Sequence, residues 1–264
     1  MEPTELGPST YNDCFNAKKY LEDYYSMDPE TKPMTIDTRF VITTLHRIFA
    51  SGLIKGETMI ELGAGPVIYH ILSACDTFKK IYLTDYFDGN LRQIEKWLKK
   101  ENNAFDWTPY MQYVCDLEGN RCTPEEKGEK IRSKVTLLKS DVTLANPLEP
   151  VSLPKVDFVM IGACLTCACK NEEEFTASLK NIVSLIKPGG YLFIEDCLEA
   201  SYYIVGDIKF SVLSLKEEMV RRAVVKAGCA IDEFEIFRDS QDSVTRDDFD
   251  RESVFCLLAH KLRK

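Results

Sequence analysis

The stretch Met59-Ile60-Glu61-Leu62-Gly63-Ala64-Gly65-Pro66 restricts the fold of this chain more than any other. An apolar run ends in an acid and breaks at once into a glycine turn. The pattern reads as the first strand of an α/β sheet feeding a helix whose apolar face is Ile68, Ile71 and Leu72. Gly63 and Gly65 permit backbone torsions that a Cβ forbids and let a bound molecule approach the chain closely. A helix N-terminus after the turn would face that molecule, and Pro66 falls where a first helical turn tolerates proline. A dinucleotide fingerprint needs a third glycine where this chain has Ile68, which weakens an NAD reading. A strand-to-helix turn with no ligand fits the same residues, so the turn alone assigns no function.

Further strands follow at intervals. Residues 79–85 read as a second strand ending in Asp85, about twenty residues beyond Gly65, the spacing at which an acid can accept hydrogen bonds from both ribose hydroxyls of an adenosine group. Asp88 or Asn90 is expected to cap the helix over residues 91–100, whose buried side is Trp97 and Leu98. Residues 135–142 and 156–164 read as the third and fourth strands. The second of these is a near-continuous apolar run of the kind buried on both faces of a parallel sheet. A helix over 172–186 stops at Lys187-Pro188-Gly189-Gly190, read as a turn, and the fifth strand, 191–196, ends in Asp196. A hairpin over 201–211, a helix over 216–227 and strands over 231–237 and 253–260 complete the pattern.

Two regions stand outside this rhythm. Residues 1–55 are helical in pattern and aromatic, with a helix over 36–50 that Gly52 ends. Tyr11 and Phe15, like Tyr20 and Tyr24, are spaced to share a helix face. These rings suit either simple packing or a lid in which Tyr20 and Tyr25 close over a ligand. Residues 101–133 read as an insertion over the domain edge, ending in a charged helix from about Pro124.

The 264 residues, 45% of them hydrophobic, suffice for one large α/β domain. Acids outnumber bases by 42 to 33, a net charge of -9, and no long basic run is available to follow a phosphate backbone, so nucleic acid is not an expected partner. No apolar stretch reaches the roughly 18 to 20 residues that cross a bilayer, and the N-terminus lacks a signal-peptide core; a soluble cytoplasmic protein without a membrane partner is expected. The ten cysteines are expected to be reduced, and Cys164, Cys167 and Cys169 form no metal motif with the three histidines, so no metal is expected. Three thiols so close in sequence are candidates for oxidation.

Strand-end groups at Glu61 with its glycines, Asp85 and Asp141 would lie along the carboxyl edge of one sheet, where open α/β sheets bind ligands. The set suits an adenosine, with glycine backbone under the amino-acid or phosphate portion and Asp85 on the ribose. Asp141 would accept from the adenine amino group while the Val142 amide donates to the ring. The chain has no Gly-Lys-Ser/Thr phosphate loop, which favours S-adenosylmethionine over NAD or ATP.

The motifs Tyr20 to Tyr25 (YLEDYY), Leu62 to Tyr69 (LGAGPVIY), Thr84-Asp85-Tyr86, Asn90, Glu95 to Glu101 (EKWLKKE), Ala104 to Pro109 (AFDWTP), Cys115 to Asn120 (CDLEGN), Leu185 to Gly190 (LIKPGG) and Ser201 to Tyr203 (SYY) carry a resemblance. The chain resembles the family of nicotinamide, indolethylamine and phenylethanolamine N-methyltransferases and thioether S-methyltransferase, above all its nicotinamide branch. The resemblance implies a Rossmann-like α/β fold of the class I S-adenosylmethionine-dependent methyltransferases. That fold has a seven-stranded mixed sheet with an antiparallel last strand, helices on both faces and an N-terminal helical cap. It implies one methyltransferase domain, with cap helices over 1–55 and a core over 56–264, and a small-molecule N-methyltransferase that yields S-adenosylhomocysteine and works as a monomer. A thioether or selenoether S-methyltransferase and a non-catalytic S-adenosylmethionine-binding protein are the alternatives.

Carried over by position, the resemblance implies that Tyr20, Tyr25, Gly63, Ala64, Gly65, Tyr69, Asp85, Asn90, Asp141, Val142 and Gly162 hold S-adenosylmethionine. Asp196 would contact the acceptor, Tyr20 would stand beside the reaction, and Ser201, Tyr203, Val212 and Gln241 would surround the acceptor. A pyridine nitrogen needs no general base, whereas an aliphatic amine must lose a proton that Asp196 could take, or it could be anchored there as ammonium. Asp196 as a capping residue beyond the fifth strand is the plainer reading. The chain departs from the nicotinamide branch at Val212, in place of a serine, at Gln241, in place of a tyrosine, at Gly162, in place of a threonine, and at Thr166, in place of an aspartate. Loss of those acceptor partners with retention of Asp196 leads to the expectation of larger or more basic nitrogen acceptors than nicotinamide.

Overall fold

Apolar runs without polar alternation must bury both faces, and this chain does so by placing one sheet between two helical layers. The computed structural model describes residues 4–6, 11–28, 31–238 and 249–263. In chain order, β1 (Thr4–Leu6), α1 (Tyr11–Cys14), α2 (Ala17–Tyr24) and α3 (Ile36–Ala50) precede β2 (Thr58–Leu62) and β3 (Lys80–Asp85). There follow α4 (Asp88–Leu98), α5 (Thr108–Leu117), α6 (Pro124–Arg132), β4 (Val135–Lys139), β5 (Val156–Gly162), α7 (Leu165–Ala168), α8 (Glu172–Ser184) and β6 (Ile186–Leu198). The hairpin β7 (Tyr202–Val205) and β8 (Ile208–Ser211), α9 (Glu217–Lys226), β9 (Cys229–Arg238) and β10 (Ser253–Lys261) finish the chain.

The main sheet has seven strands in the order β4-β3-β2-β5-β6-β10-β9. Its pairs are parallel from β4 to β6, and β10 runs antiparallel to both β6 and β9. The chain builds outward from β2 to β4 on one side and then crosses to β5 on the other. The carboxyl ends of β2 and β5 therefore flank a topological switch point. Met59, Phe158, Met160, Phe193 and Leu258 pack beneath α3 and α5 on one face, while Ile60, Leu62, Val159, Ile161, Leu192, Ile194 and Leu257 pack beneath α8 and α9 on the other. No helix among the described residues is long and apolar enough to cross a membrane.

The structure departs from the sequence reading in several places. The segment after Gly65 is two 3₁₀ turns, Tyr69–Ile71 and Ala74–Asp76, instead of an α-helix. Residues 67–75 are buried on all sides, so the spacing of Ile68, Ile71 and Leu72 reflects a fully enclosed segment and not an amphipathic face. Helix α4 begins earlier than expected, behind Phe87 and without a side-chain cap, because Asn90 turns inward to Asp85. Strand β4 stops at Lys139, where Asp141 folds the chain into a turn by accepting from Thr143 N at 2.9 Å. Strand β5 ends at Gly162, with Ala163 at φ 43°. Lys187 to Gly190 lie inside β6 as an irregularity in its pairing with β5, and Gly189 there takes φ 78°. The aromatic stretch from Phe105 leads into α5, with Trp107 just before the helix and Tyr110 within it both buried.

The N-terminal segment holds a strand as well as helices, since β1 pairs parallel with β8 in a small sheet of order β1-β8-β7. Helix α2 docks on the hairpin of that sheet: Tyr24 Oη donates to Ile204 O at 2.7 Å and Asp23 accepts from Gly206 N at 2.9 Å. Phe15, Ala17, Val205 and Phe210 close the apolar seam between them. Helix α3 is tied to the entry of β10 by Arg251 Nη2, which donates to Asp37 Oδ2 at 2.6 Å.

Burial opposes ionisation of Asp37, but the Arg251 guanidinium and hydrogen bonds from Thr35 and Thr38 override it and hold the carboxyl below its usual range. A carboxyl whose native pKa is depressed contributes stability in full above its unfolded value and loses it as the pH falls through the native value. Asp37→Asn should cost about 2 kcal/mol at neutral pH, because both side chains are largely but not wholly buried. It should also flatten the acid limb of a stability–pH curve measured by chemical denaturation.

Candidate active site

At the carboxyl ends of β2, β3, β5 and β6 the sheet opens into a cavity of about 470 Å³, covered by α1 and α2. Its architecture starts at Asp85. One carboxylate oxygen accepts from Gly65 N at 2.7 Å, and the other from Phe87 N at 2.8 Å and Asn90 Nδ2 at 3.1 Å. The acid thus ties the glycine turn to the start of α4. Burial pushes its pKa up, against the hydrogen bonds from Phe87, Gly65 and Asn90 that favour the carboxylate. Asn90 Oδ1 is buried beside it without a hydrogen-bond partner among the described residues.

The two glycines of the turn have different reasons for being glycine. Gly65 takes φ 61°, and a Cβ there would meet nothing within 4 Å, so the turn borders open space. Gly63 takes φ 67°, and a Cβ there would lie 2.1 Å from Cys164 Sγ, so its freedom serves close packing against the end of β5. Ala64 and Val142 line the cavity nearby, as does Asp141, whose Oδ1 also accepts from Thr143 Oγ1 at 2.6 Å.

Three phenols form one wall. Tyr20 Oη and Tyr25 Oη are 3.4 Å apart, and the Tyr25 and Tyr69 rings are 5.5 Å apart. Burial holds all three hydroxyls well above their ordinary pKa, so they stay protonated donors. Asp196, which lines the same cavity, is buried, with Thr166 Oγ1 3.1 Å from each carboxylate oxygen and Cys197 N donating at 2.8 Å. Burial first, and the neighbouring Glu195 charge second, push Asp196 up to about 8. Cys167, Ala200, Tyr202, Tyr203, Val212 and Phe249 line the same cavity.

The cavity brings together Tyr20, Tyr25, Gly63, Ala64, Gly65, Tyr69, Asp85, Asn90, Asp141, Val142, Gly162, Asp196, Tyr203 and Val212. Ser201 is not among its lining residues: its side chain is exposed, and its hydroxyl and amide both donate to Asp250, at 2.5 and 2.7 Å. Ala200 takes the lining position one residue earlier. Gln241 lies outside the described residues.

Sequence reasoning passed over His70 and Glu195. His70 Nδ1 is 2.6 Å from Glu61 Oε1, and both side chains are buried. Glu195 is the residue before Asp196 and faces the opposite side of β6, towards Gly162 and His70. An acid inside the run Leu192-Phe193-Ile194-Glu195 was the available signal, because an unpaired charge within a core strand requires a partner.

The chain matches the NNMT/PNMT/TEMT family over residues 3–262. It is 44% identical to nicotinamide N-methyltransferase of Homo sapiens, covering all of this chain and 99% of that one. It is 42% identical to indolethylamine N-methyltransferase of Oryctolagus cuniculus, covering 88% and 89% of the two chains. Among solved structures it is similar in fold to magnesium protoporphyrin IX methyltransferase from Synechocystis with bound SAM, at TM-score 0.56 and 14% identity over 96% of each chain.

The glycine at 162 is a steric requirement of the His70 niche, since a Cβ there would lie 2.6 Å from His70 Cε1. Gly162→Ala should therefore destabilise the protein by about 1–3 kcal/mol in denaturant unfolding. The loss should largely vanish in a His70→Ala background, giving a non-additive pair of substitutions.

Proposed function

The chain belongs to the NNMT/PNMT/TEMT family and is a methyltransferase, and from that premise we propose that it transfers a methyl group from S-adenosylmethionine to the nitrogen of an arylalkylamine or a substituted pyridine. The single observation that carries the donor half is that Asp85, which accepts from Asn90 Nδ2, and the unsatisfied Asn90 Oδ1 stand together beside the open face of Gly65. Two adjacent acceptors at the end of β3 suit the two hydroxyls of a ribose. The fit agrees with S-adenosylmethionine or S-adenosylhomocysteine held by Asp85, Asn90, Asp141, Val142 and the glycine turn, with Tyr20, Tyr25 and Tyr69 over it.

When bound, S-adenosylmethionine would supply an electrophilic methyl group whose bond to sulfur breaks as a neutral nitrogen lone pair bonds to it in line, with S-adenosylhomocysteine leaving as the neutral thioether. The protein's task is then to hold the acceptor in register and keep water out, and positioning of that kind can supply several kcal/mol of the barrier. The α1–α2 cover and the phenol wall serve exclusion. Asp196 serves the acceptor. The cavity it lines also presents Ala200, Tyr202, Tyr203, Val212 and Phe249, which offer aromatic and apolar walls. That setting favours an aromatic amine, whose ammonium the carboxylate binds and whose proton it accepts, over a flat uncharged amide. Val212 adds no hydroxyl to the pocket, in keeping with an acceptor that needs few hydrogen bonds.

An Asp196 that ionises near pH 8 sets a testable dependence. The base is competent only when deprotonated, so kcat/KM for an arylalkylamine should rise with pH through about 8. Asp196→Asn should lower the rate and remove that limb, leaving only the ionisation of the amine itself. A pyridine acceptor, which needs no base, should show no limb near 8 in either protein. A limb that persists in Asp196→Asn would remove Asp196 from the proton transfer.

A further inference from the structure

The chemistry above leaves three buried groups, Glu61, His70 and Glu195, without a task. Glu61, Gly162 and Glu195 stand on the same face of the adjacent strands β2, β5 and β6, as their registers through Met160 require. His70 lies over Gly162 between the two acids. Its Nδ1 is 2.6 Å from Glu61 Oε1 and its Nε2 is 3.9 Å from Glu195 Oε2. Neither His70 Nε2 nor Glu61 Oε2 has a hydrogen-bond partner among the described residues. Two carboxylates and one imidazole leave a net negative charge even when the imidazole is protonated. The nearby Arg251 does not balance it, being paired with Asp37 at 2.6 Å. A buried excess of charge is relieved by uptake of a proton or by a neighbouring cation.

The niche adjoins the cavity, which Gly162, His70 and Glu195 all line. Its place on the sheet edge selects the cation. Asp85 ends β3, the glycine turn ends β2, Gly162 ends β5 and Glu195 lies at the matching level of β6. A molecule with its ribose on Asp85 that runs over the glycine turn brings its far end to Gly162 and Glu195. In S-adenosylmethionine and S-adenosylhomocysteine that far end is an α-amino acid. The acceptor's nitrogen is served instead by Asp196, which projects from the other face of β6 towards Thr166.

We propose that Glu195, beside the Glu61–His70 pair, receives the α-ammonium of the donor's amino-acid end, so that this chain selects adenosyl compounds that keep that end. Gly162 keeps this side of the carboxylate clear, since a Cβ there would crowd His70 Cε1 at 2.6 Å and lie 3.2 Å from Glu195 Oε2. Burial raises the Glu195 pKa, and His70 and then Arg251 act against that rise. Burial also works against a charged His70, but Glu61 and then Glu195 override it and raise the imidazole above its ordinary range. The inference rests on the donor proposed above.

Calorimetric titration of the full chain with S-adenosylhomocysteine and with 5′-methylthioadenosine tests it, because the two share adenosine and thioether but only the first has the amino acid. Glu195→Gln should weaken S-adenosylhomocysteine about tenfold or more, the scale of a lost charge-assisted hydrogen bond, and leave 5′-methylthioadenosine within about twofold. Glu195→Met, similar in volume and uncharged, carries the same expectation if the glutamine variant does not fold. Unchanged affinity for S-adenosylhomocysteine, or an equal loss for both compounds, overturns the assignment alone. Failure of the unsubstituted chain to bind either compound overturns the donor reading beneath it.

Discussion

The Asp85 carboxylate is the interaction on which the site depends. By accepting from Gly65 N, Phe87 N and Asn90 Nδ2 it joins three otherwise independent pieces: the turn leaving β2, the end of β3 and the first turn of α4. Each backbone amide it satisfies would otherwise be a buried donor without a partner. The sheet supplies the rest of the rigidity. Thr84 Oγ1, buried one residue earlier, donates to Glu61 O at 3.0 Å and lies 2.8 Å from Ser140 Oγ, so the ends of β2, β3 and β4 are linked beneath the ligand edge. A cavity whose floor is held this way needs little reorganisation to receive a ribose.

The other half of the site is organised by one strand that places adjacent acids on opposite faces. Glu195 turns to His70 and Asp196 to Thr166. Burying either carboxylate is costly; burial first and Glu195 second raise the pKa of Asp196, and Glu61 and then Glu195 raise that of His70 against its burial. Side chains that only supported the fold would not need such an arrangement, because apolar residues of similar volume would be at least as stable there. In the proposed reading the two acids serve two cations of different origin, one on the donor and one on the acceptor.

The parallel strands were legible in the sequence because their apolar runs are near-continuous, and Asp85 was legible because its distance from Gly65 is set by one βα passage. The antiparallel last strand came from the resemblance and is present as β10. Legibility failed where local periodicity and tertiary burial disagree. Ile68, Ile71 and Leu72 have helical spacing, yet they lie in an enclosed segment that folds as 3₁₀ turns. Ser201 does not line the cavity because Asp250, far away in the chain, captures both its amide and its hydroxyl. The His70 niche depends on three strands meeting at Gly162, a coincidence that no spacing within one element encodes.

The central claim is that the two ends of this cavity hold an adenosyl donor and a nitrogen acceptor in register for methyl transfer. Incubation of the pure protein with S-adenosylmethionine carrying a deuterated methyl group, against a panel of pyridines, arylalkylamines and thioethers, tests it most directly. Mass spectrometry of the products should find the label on nitrogen, with some arylalkylamine or substituted pyridine methylated faster than nicotinamide. Label on no nitrogen acceptor, or nicotinamide leading the panel by about tenfold or more, the scale at which one good contact decides specificity, would contradict the account.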